Sequence, residues 1–531
     1  MHSAISRLFL GTCALSCLLC QSSGPHPSQS RLRADLDFLT SDVLAGRVSL
    51  SPQADIAARY IAADFQKTGL APANHGSYLQ EFPLIGYRTD PQSRQLVLTR
   101  KGESKPFRPG SGFTGAFSRK LDIKAAVAFA GYGITAPEYG YDDYANLDAS
   151  GQIVLMFDHE PQEDDPRSIW NGTGQTLHSG RWTKLANARR HGAIGVLIAS
   201  EPVRRHPGLL ESQRAAGGQQ SLRASAPTQA LDDPGQIPAF SIADDVLAEL
   251  LATSGHTPTE LQQSLDSKQP ASQLLPDTVV EMRCANQEEH RGISLNAVGL
   301  LEGSDPALKS ETVLLTAHYD HLGVQNGHLY PGANDNTSGT VAVMELARLF
   351  AQASTRPKRS LLFVVFGSEE QLMLGSFYYT AHPLRPLAGT RAVLNLDMIG
   401  RDEAHIPQSE GVLDIPADTS NELNLVGTYY SPDLQAVIER ENRNVGLKLD
   451  TKFEHDHVLN ALFRCDHLPF LEAAVPAVWF FGGFHPGYHE PSDTVEKLNF
   501  PKIEKVIRLA YGTALAIANA PAGPRFGANR K

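Results

Sequence analysis

"TVLLTAHYDHLGVQNGHLYPGANDNTSGTVAVMELARLFAQA" spans residues 312–353. Its first six residues are apolar or β-branched and read as a buried strand. From Ser338 the text "SGTVAVMELARLFAQA" reads as a helix. Between them lies a Gly-rich polar loop holding His318, Asp320 and Asp335. Strand, loop, helix is the repeating unit of an α/β sheet, and it recurs downstream. "RSLLFVVFG" (359–367), "TRAVLNLDMIG" (390–400) and "VPAVWFFGG" (475–483) read as strands. "SEEQLMLGSFYYTAH" (368–382) reads as a helix start, and "SPDLQAVIERENRNV" (431–445) and "PKIEKVIRLAYGTALAIANA" (501–520) read as helices. The alternation predicts an α/β fold: a mixed, mostly parallel sheet flanked by helices. Ligands of such sheets collect at the carboxyl ends of strands.

The polar residues fall at those ends. His318 and Asp320 follow the first strand, Glu369 and Glu370 the second, and Asp397 the third. "HPGYHEPSD" (485–493) follows the last, with His485, His489 and Asp493; Asp335 sits in "GANDNTSG" just before a helix. Singly, each has an ordinary reading as a cap, a turn or a solvated pair. Together they make a nitrogen-and-oxygen ligand set suited to Zn²⁺, with Mn²⁺ or Co²⁺ as alternatives. Two metals about 3.5–4 Å apart need a bridging carboxylate. The set allows one bridge, two further ligands per metal and one free carboxylate as general base. Asp320, two residues after His318, points the same way in extended chain and can orient the imidazole. Asp493 is expected to do the same for His489.

The chain has 531 residues, more than one core usually serves, so two or more domains are expected. Its net charge of −11 argues against nucleic acid as a partner, because binding phosphates needs clustered Lys and Arg. Arg7 followed by "LFLGTCALSCLLC" (8–20) reads as an export signal too short to span a bilayer. Export to the periplasm, the cell envelope or the medium follows, with no transmembrane segment. Cys20 before Gln-Ser-Ser makes a lipoprotein-type anchor the alternative to simple cleavage. Residues 21–30 read as a tether. Outside the signal only Cys284 and Cys465 remain, either bridged or reduced, and too few for a thiolate zinc site.

"TAHYDHLG…GANDNTSG…SEEQLMLGS…NLDMIGR…YHEPSDT" resembles the di-zinc aminopeptidase family that includes secreted bacterial leucine aminopeptidases. Glutamate carboxypeptidase II and the transferrin receptor are relatives in that superfamily. The resemblance covers roughly 290–520, and "LTSDVLAGR" and "SPQADIAARYIAADFQKTGL" near the N-terminus also fit. It implies the zinc exopeptidase fold and two zinc ions. His318 and Asp397 would hold one ion, Glu370 and His489 the other, and Asp335 would bridge. Glu369 would be the general base, Asp320 would orient His318, and Tyr488 matches a tyrosine that stabilises the oxyanion in some members. The implied substrates are peptides with a free N-terminus.

Short apolar runs between 122 and 250 ("AAVAFAGYGI", "GQIVLMFDHE", "AIGVLIAS", "QIPAFSIA") read as strands of a smaller β-rich α/β unit, with "RWTKLANARRHG" as a helix. This insert resembles a protease-associated domain. The expected division is thus 1–20 signal, 21–30 tether, 31–121 first part of the peptidase domain, 122–250 insert, 251–285 connector, 286–520 catalytic domain and 521–531 tail. Three rivals keep the same scaffold: a carboxypeptidase using Arg401 or Arg464 to hold a substrate carboxylate, a single-zinc aminoacyl cyclase, and a non-catalytic receptor-like protein. His321, His328, His455, His457 and His485 are read as ordinary, Asp466-His467 as a supporting pair, and Trp170 and Trp182 as core or interface.

Overall fold

The computed structural model describes residues 26–208, 210–211 and 227–527. The signal segment with Cys13, Cys17 and Cys20, the first part of the tether and the last residues of the tail lie outside the described residues. So does most of the polar stretch before 227.

Two sheets organise the chain. The larger runs in the order Thr228–Leu231, Leu79–Thr89, Asn286–Leu301, Ser360–Phe366, Thr312–His318, Thr390–Asp397, Ala477–Phe481, Glu422–Val426, Lys448–Asp450. Its centre is parallel: Thr312–His318 lies between Ser360–Phe366 and Thr390–Asp397, which in turn pairs with Ala477–Phe481. Antiparallel neighbours flank this core, Asn286–Leu301 on one side and Glu422–Val426 on the other. The central strands are buried along their length except at Arg391.

The period-two alternation of a strand assigns each residue to a face. Val313, Leu315, Ala317, Leu361, Phe363 and Val365 pack with the helices Gln29–Leu39, Pro52–Lys67, Gly339–Ala351 and Phe500–Asn519. Leu314, Leu362, Val364 and Phe366 pack on the other face with Tyr379, Phe470 and Trp479. Two buried layers on one sheet explain why these strands read as continuous apolar runs. The helix Pro52–Lys67 starts as its sequence suggests, with Pro52 in the first turn and the Ser51 side chain accepting from the Ala54 N–H.

The smaller sheet runs Glu103–Phe107, Gln95–Arg100, Gln273–Cys284, Leu121–Phe129, Ile153–Phe157, Gly195–Ala199, Ala239–Ile242, Phe113–Gly115. It is wider than the 122–250 span expected from sequence. Leu96 and Leu98, assigned above to the peptidase domain, pack here against Val280 and Met282. Residues 251–285, expected as a connector, contain the helix Pro258–Asp266 and the twelve-residue strand Gln273–Cys284. Conversely Thr228–Leu231, inside the expected insert, pairs with Leu79–Thr89 of the larger sheet. The expected helix start at 368–382 also shifts, since regular helix begins only at Leu374. Ser368, Leu372 and Met373 have positive φ, so the chain loops at the strand end before turning helical.

Cys284 and Cys465 are buried free thiols. Cys284 lies in the core of the smaller sheet and Cys465 packs on the larger, so the unbridged alternative holds. Among the described residues no helix is long and apolar enough to cross a membrane.

Candidate metal centre

Parallel strands bring their carboxyl ends to one edge, and the polar loops converge there. The Asp335 carboxylate lies between two groups of side chains. Its Oδ1 is 3.5 Å from His318 Nε2, which is also 3.5 Å from Asp397 Oδ1. Its Oδ2 is 3.0 Å from His489 Nε2, which is also 3.3 Å from Glu370 Oε2. Glu369 Oε2 stands 3.7 Å from His318 Nε2. The five residues expected as ligands and the expected base therefore meet at one buried site.

His321 joins them. Its Nδ1 lies 2.8 Å from Glu370 Oε1 and 3.9 Å from Asp335 Oδ2, and its ring is fully buried. The ordinary reading of His321 is corrected here. Sequence spacing carried no signal for it, because it falls just past the point where extended chain gives way to loop. His328, by contrast, is exposed on a short hairpin.

The loop that presents Asp335 is fastened by its flanking asparagines. Asn334 Oδ1 accepts from the Gly400 N–H at 2.7 Å, and its amide meets His485 Nε2 at 2.9 Å. Asn336 Oδ1 accepts from the Gly339 N–H at 2.9 Å and from the Met398 N–H at 3.3 Å. Gly332 has φ +60, and a Cβ there would fall 2.3 Å from the Asp335 carbonyl and 2.5 Å from the His321 ring. Only glycine fits that close approach. Arg47 supports the same loop from behind: 1% exposed, it donates to the carbonyls of Tyr319, Leu39, Pro331 and Gly332.

Two supporting roles differ from expectation. The Asp320 carboxylate accepts from the Glu369 N–H at 2.9 Å and the Glu370 N–H at 3.3 Å. It thus holds the turn that carries both glutamates, while His318 Nδ1 lies 3.2 Å from the Asp320 main-chain carbonyl, nearer than the carboxylate at 3.8 Å. Asp493 does not reach His489; its Oδ2 accepts from the Asn334 and Asp335 N–H groups at 2.9 and 3.1 Å. It positions the bridging residue instead. Tyr488 stacks its ring on His489 with centroids 3.8 Å apart. Cys465 Sγ donates to Asp397 Oδ2 at 3.0 Å. Ser376 donates to Asp466 at 2.5 Å, and the His467 ring is buried against Trp479.

Burial and crowding set the charge states. Burial raises Glu369 well above the carboxylate range; His318 opposes this, while Asp466, Glu370 and Asp397 add to it. Burial also lifts Asp397, against the pull of His318. Burial would raise Asp335 and Glu370 too, but their histidine contacts win and both are held low. Burial pushes Asp320 up to about 6 and Asp493 up to about 6. His489 resists burial and rises to about 9 through Glu370 and Asp335. Burial, with Arg401 next, drives His485 down to about 3, so it stays neutral.

These groups fit a metal on their own chemistry. His318 Nε2 and Asp397 Oδ1 are buried, face each other across 3.5 Å, and have no hydrogen-bond partner. His318, Asp335 and Asp397 offer one set of mutually close donors, and His321, Asp335 and Glu370 another. Buried carboxylates in such excess call for a cation. Arg401, a candidate for the carboxypeptidase reading, turns its Nη1 toward Asp493 Oδ1 at 3.7 Å, and Arg464 lies over the Phe484 ring at 5.8 Å.

The smaller unit packs against the same half of the large one. Trp182 meets Phe377, in the helix that follows Glu370, at 5.3 Å. Asn171 donates to the Glu454 carbonyl at 2.9 Å, and Thr183 donates to Glu472 at 2.9 Å. Trp170 is instead core, tilted against Tyr139 and edge-to-face with Tyr141.

Comparison with known proteins agrees with this placement. Residues 296–514 match the profile of peptidase family M28. Aminopeptidase YwaD of Bacillus subtilis (strain 168) is 29% identical over 203 residues, 37% of this chain and 38% of that protein. Leupeptin-inactivating enzyme 1 of Streptomyces exfoliatus is 29% identical over 257 residues, covering 44% and 51%. Leucine aminopeptidase 2 of Arthroderma otae is 26% identical over 299 residues, covering 51% and 55%. The chain thus spans about 38–55% of the length of these relatives. Among solved structures, an aminopeptidase from Aneurinibacillus sp. strain AM-1 aligns over 95% of both chains at 20% identity and a TM-score of 0.47. Residues 296–514, the part of the chain that matches the peptidase family M28 profile, carry the whole candidate centre.

Proposed function

We propose that this chain is a zinc-dependent aminopeptidase that removes N-terminal residues from peptides at a two-metal centre. One observation carries the reading: the two oxygens of the single Asp335 carboxylate face two different ligand groups, at 3.5 Å from His318 and 3.0 Å from His489. His318 and Asp397 would hold one ion, Glu370 and His489 the other, and Asp335 both, with His321 beside the second. The names of the relatives, aminopeptidases and zinc metalloproteases, support zinc and peptide substrates.

Zinc held by these residues would lower the pKa of a water and polarise the scissile carbonyl. Glu369 takes the proton of the attacking water at its Oε2 and delivers it to the leaving amine. Asp320 keeps Glu369 and Glu370 in register through their N–H groups. Tyr488, whose ring stacks on His489, would stabilise the oxyanion. The acidic wall attracts the substrate's α-ammonium and disfavours a substrate carboxylate, which favours the aminopeptidase over the carboxypeptidase reading. The protease-associated-type insert, docked through Trp182, borders substrate access. Export by the N-terminal signal would place the enzyme in the periplasm, the cell envelope or the medium.

The test is metal content by mass spectrometry of the stripped and zinc-reloaded protein, paired with hydrolysis of aminoacyl-amides. Two zinc ions per chain at this site and restored activity support the reading. A single ion with full activity would remove the bridging role of Asp335.

A further inference from the structure

A second cluster of ligand-type side chains lies in the smaller unit, away from Asp335. His159 and Glu163 follow the strand Ile153–Phe157, and Glu201 and His206 follow Gly195–Ala199. These two strands are parallel neighbours, so both loops leave the same sheet edge. His206 Nε2 lies 2.9 Å from Glu163 Oε1 and 2.6 Å from Glu201 Oε1. His159 Nδ1 lies 2.5 Å from Glu163 Oε2 and 3.9 Å from Glu201 Oε1, and the two imidazole centroids are 4.3 Å apart. All four side chains are 12% exposed or less.

Two features separate this cluster from a pair of salt bridges. The second oxygen of Glu201, on a side chain 1% exposed, is buried with no hydrogen-bond partner. The nearby cations are otherwise engaged: Lys184 Nζ donates to the carbonyls of Phe157 and His159, and Arg204 to the Glu201 main-chain carbonyl and to Asp244. With both imidazoles neutral, as ligation requires, the two carboxylates sum to −2, which one divalent cation cancels.

We infer that His159, Glu163, Glu201 and His206 form a structural divalent-metal site of zinc type in the smaller unit, separate from the centre at Asp335. One donor atom from each lies within 4.8 Å of all the others. A tetrahedron with bonds of about 2.1 Å has edges of about 3.4 Å, so small side-chain rotations close the site. Imidazole nitrogen and carboxylate oxygen both ligate zinc, and four such donors in a closed set leave no open position, as a structural rather than a catalytic site requires. The metal would staple the loop after Ile153–Phe157 to the segment after Gly195–Ala199. That loop docks on the large unit: His457 Nδ1 meets the Thr173 carbonyl at 2.9 Å, and its Nε2 lies 3.7 Å from Asp164. The site thus fixes the face by which the smaller unit sits beside the candidate active site.

The experiment uses the full chain, stripped with chelator, reloaded with Zn²⁺ and gel-filtered. Metal per chain is measured by mass spectrometry for wild type, His206→Ala, Glu201→Gln and Asp335→Asn. The expected result is one zinc fewer in both His206→Ala and Glu201→Gln than in wild type. Asp335→Asn keeps the zinc of the smaller unit. Zinc-edge anomalous diffraction from the wild type should place a peak among the four side chains, and it decides the matter even if a variant fails to fold. Wild-type metal content in both smaller-unit variants, or an anomalous map with no peak there, overturns the site. The outcome is independent of whether the Asp335 centre holds one ion or two.

Discussion

Replacing Arg47 with Met removes the guanidinium that laces the loop behind the centre while keeping side-chain length. The guanidinium is buried and donates to four main-chain carbonyls, at Tyr319, Leu39, Pro331 and Gly332. The Gly332 carbonyl keeps a donor in the Thr337 hydroxyl; a buried acceptor left without its partner costs about 1–3 kcal/mol, so the other three carry a gross loss of about 6 kcal/mol at the middle of that range. Against this stands the cost of burying the charge: burial lowers Arg47 to about 10 although Asp320, Asp335, Asp493 and Glu370 pull the other way. Relief of that penalty returns about 3 kcal/mol. The expected net loss is about 3 kcal/mol, at the lower end of what removing one partner of a buried charged network costs, about 3–5 kcal/mol. Arg47→Lys keeps the charge but not the fork, and should fall between the two. Urea unfolding of the metal-free protein measures the stability, and zinc titration of the folded variants measures the site. Arg47→Met within about 0.5 kcal/mol of wild type, the spread of ordinary surface changes, would refute the claim that Arg47 holds the loop.

Glu369→Gln should retain wild-type zinc and lose a factor of about 10²–10⁴ in kcat; near-normal turnover would remove Glu369 from the base role. Cys465→Ala deletes the thiol that donates to Asp397 Oδ2 at 3.0 Å. Loss of such an outer contact should weaken zinc binding by about 10–100-fold, read by competition with a chromophoric chelator, and unchanged affinity would make the contact incidental. Glu311 gives a pH signature. A hydrogen bond from Arg391, with Arg359 adding to it against partial burial, holds it down to about 2. Its folded value lies below its unfolded one, so its contribution is present above about pH 4.3 and lost as pH falls toward 2. Urea midpoints between pH 5 and 2.5 should therefore fall less steeply in Glu311→Gln than in wild type; parallel curves would contradict the assignment.

The parallel strands were legible because full burial on both faces writes them as continuous apolar runs, and strand ends mark where ligands gather. His318, Asp335, Glu369, Glu370, Asp397 and His489 were legible for that reason, and they do converge. What the sequence hid were the paths of loops. Alternation places Asp320 on the side of His318, but the carboxylate turns to the amides of Glu369 and Glu370 in a neighbouring loop. Asp493 likewise serves the backbone of Asp335, far away in sequence. His321 escaped because no periodicity continues past the strand end. The early start of the smaller sheet was hidden because Gln95–Arg100 pairs with Gln273–Cys284, a contact that spans the whole insert. The His159–His206 cluster was invisible for the same reason, since its halves sit on two loops joined only by strand pairing.

The most direct test of the account is hydrolysis by the stripped and zinc-reloaded protein of matched peptides with free and acetylated N-termini. The account predicts no cleavage without metal, restoration by zinc, and cleavage only where the α-amine is free. Equal cleavage of the acetylated peptides, or full activity after chelation, would contradict it.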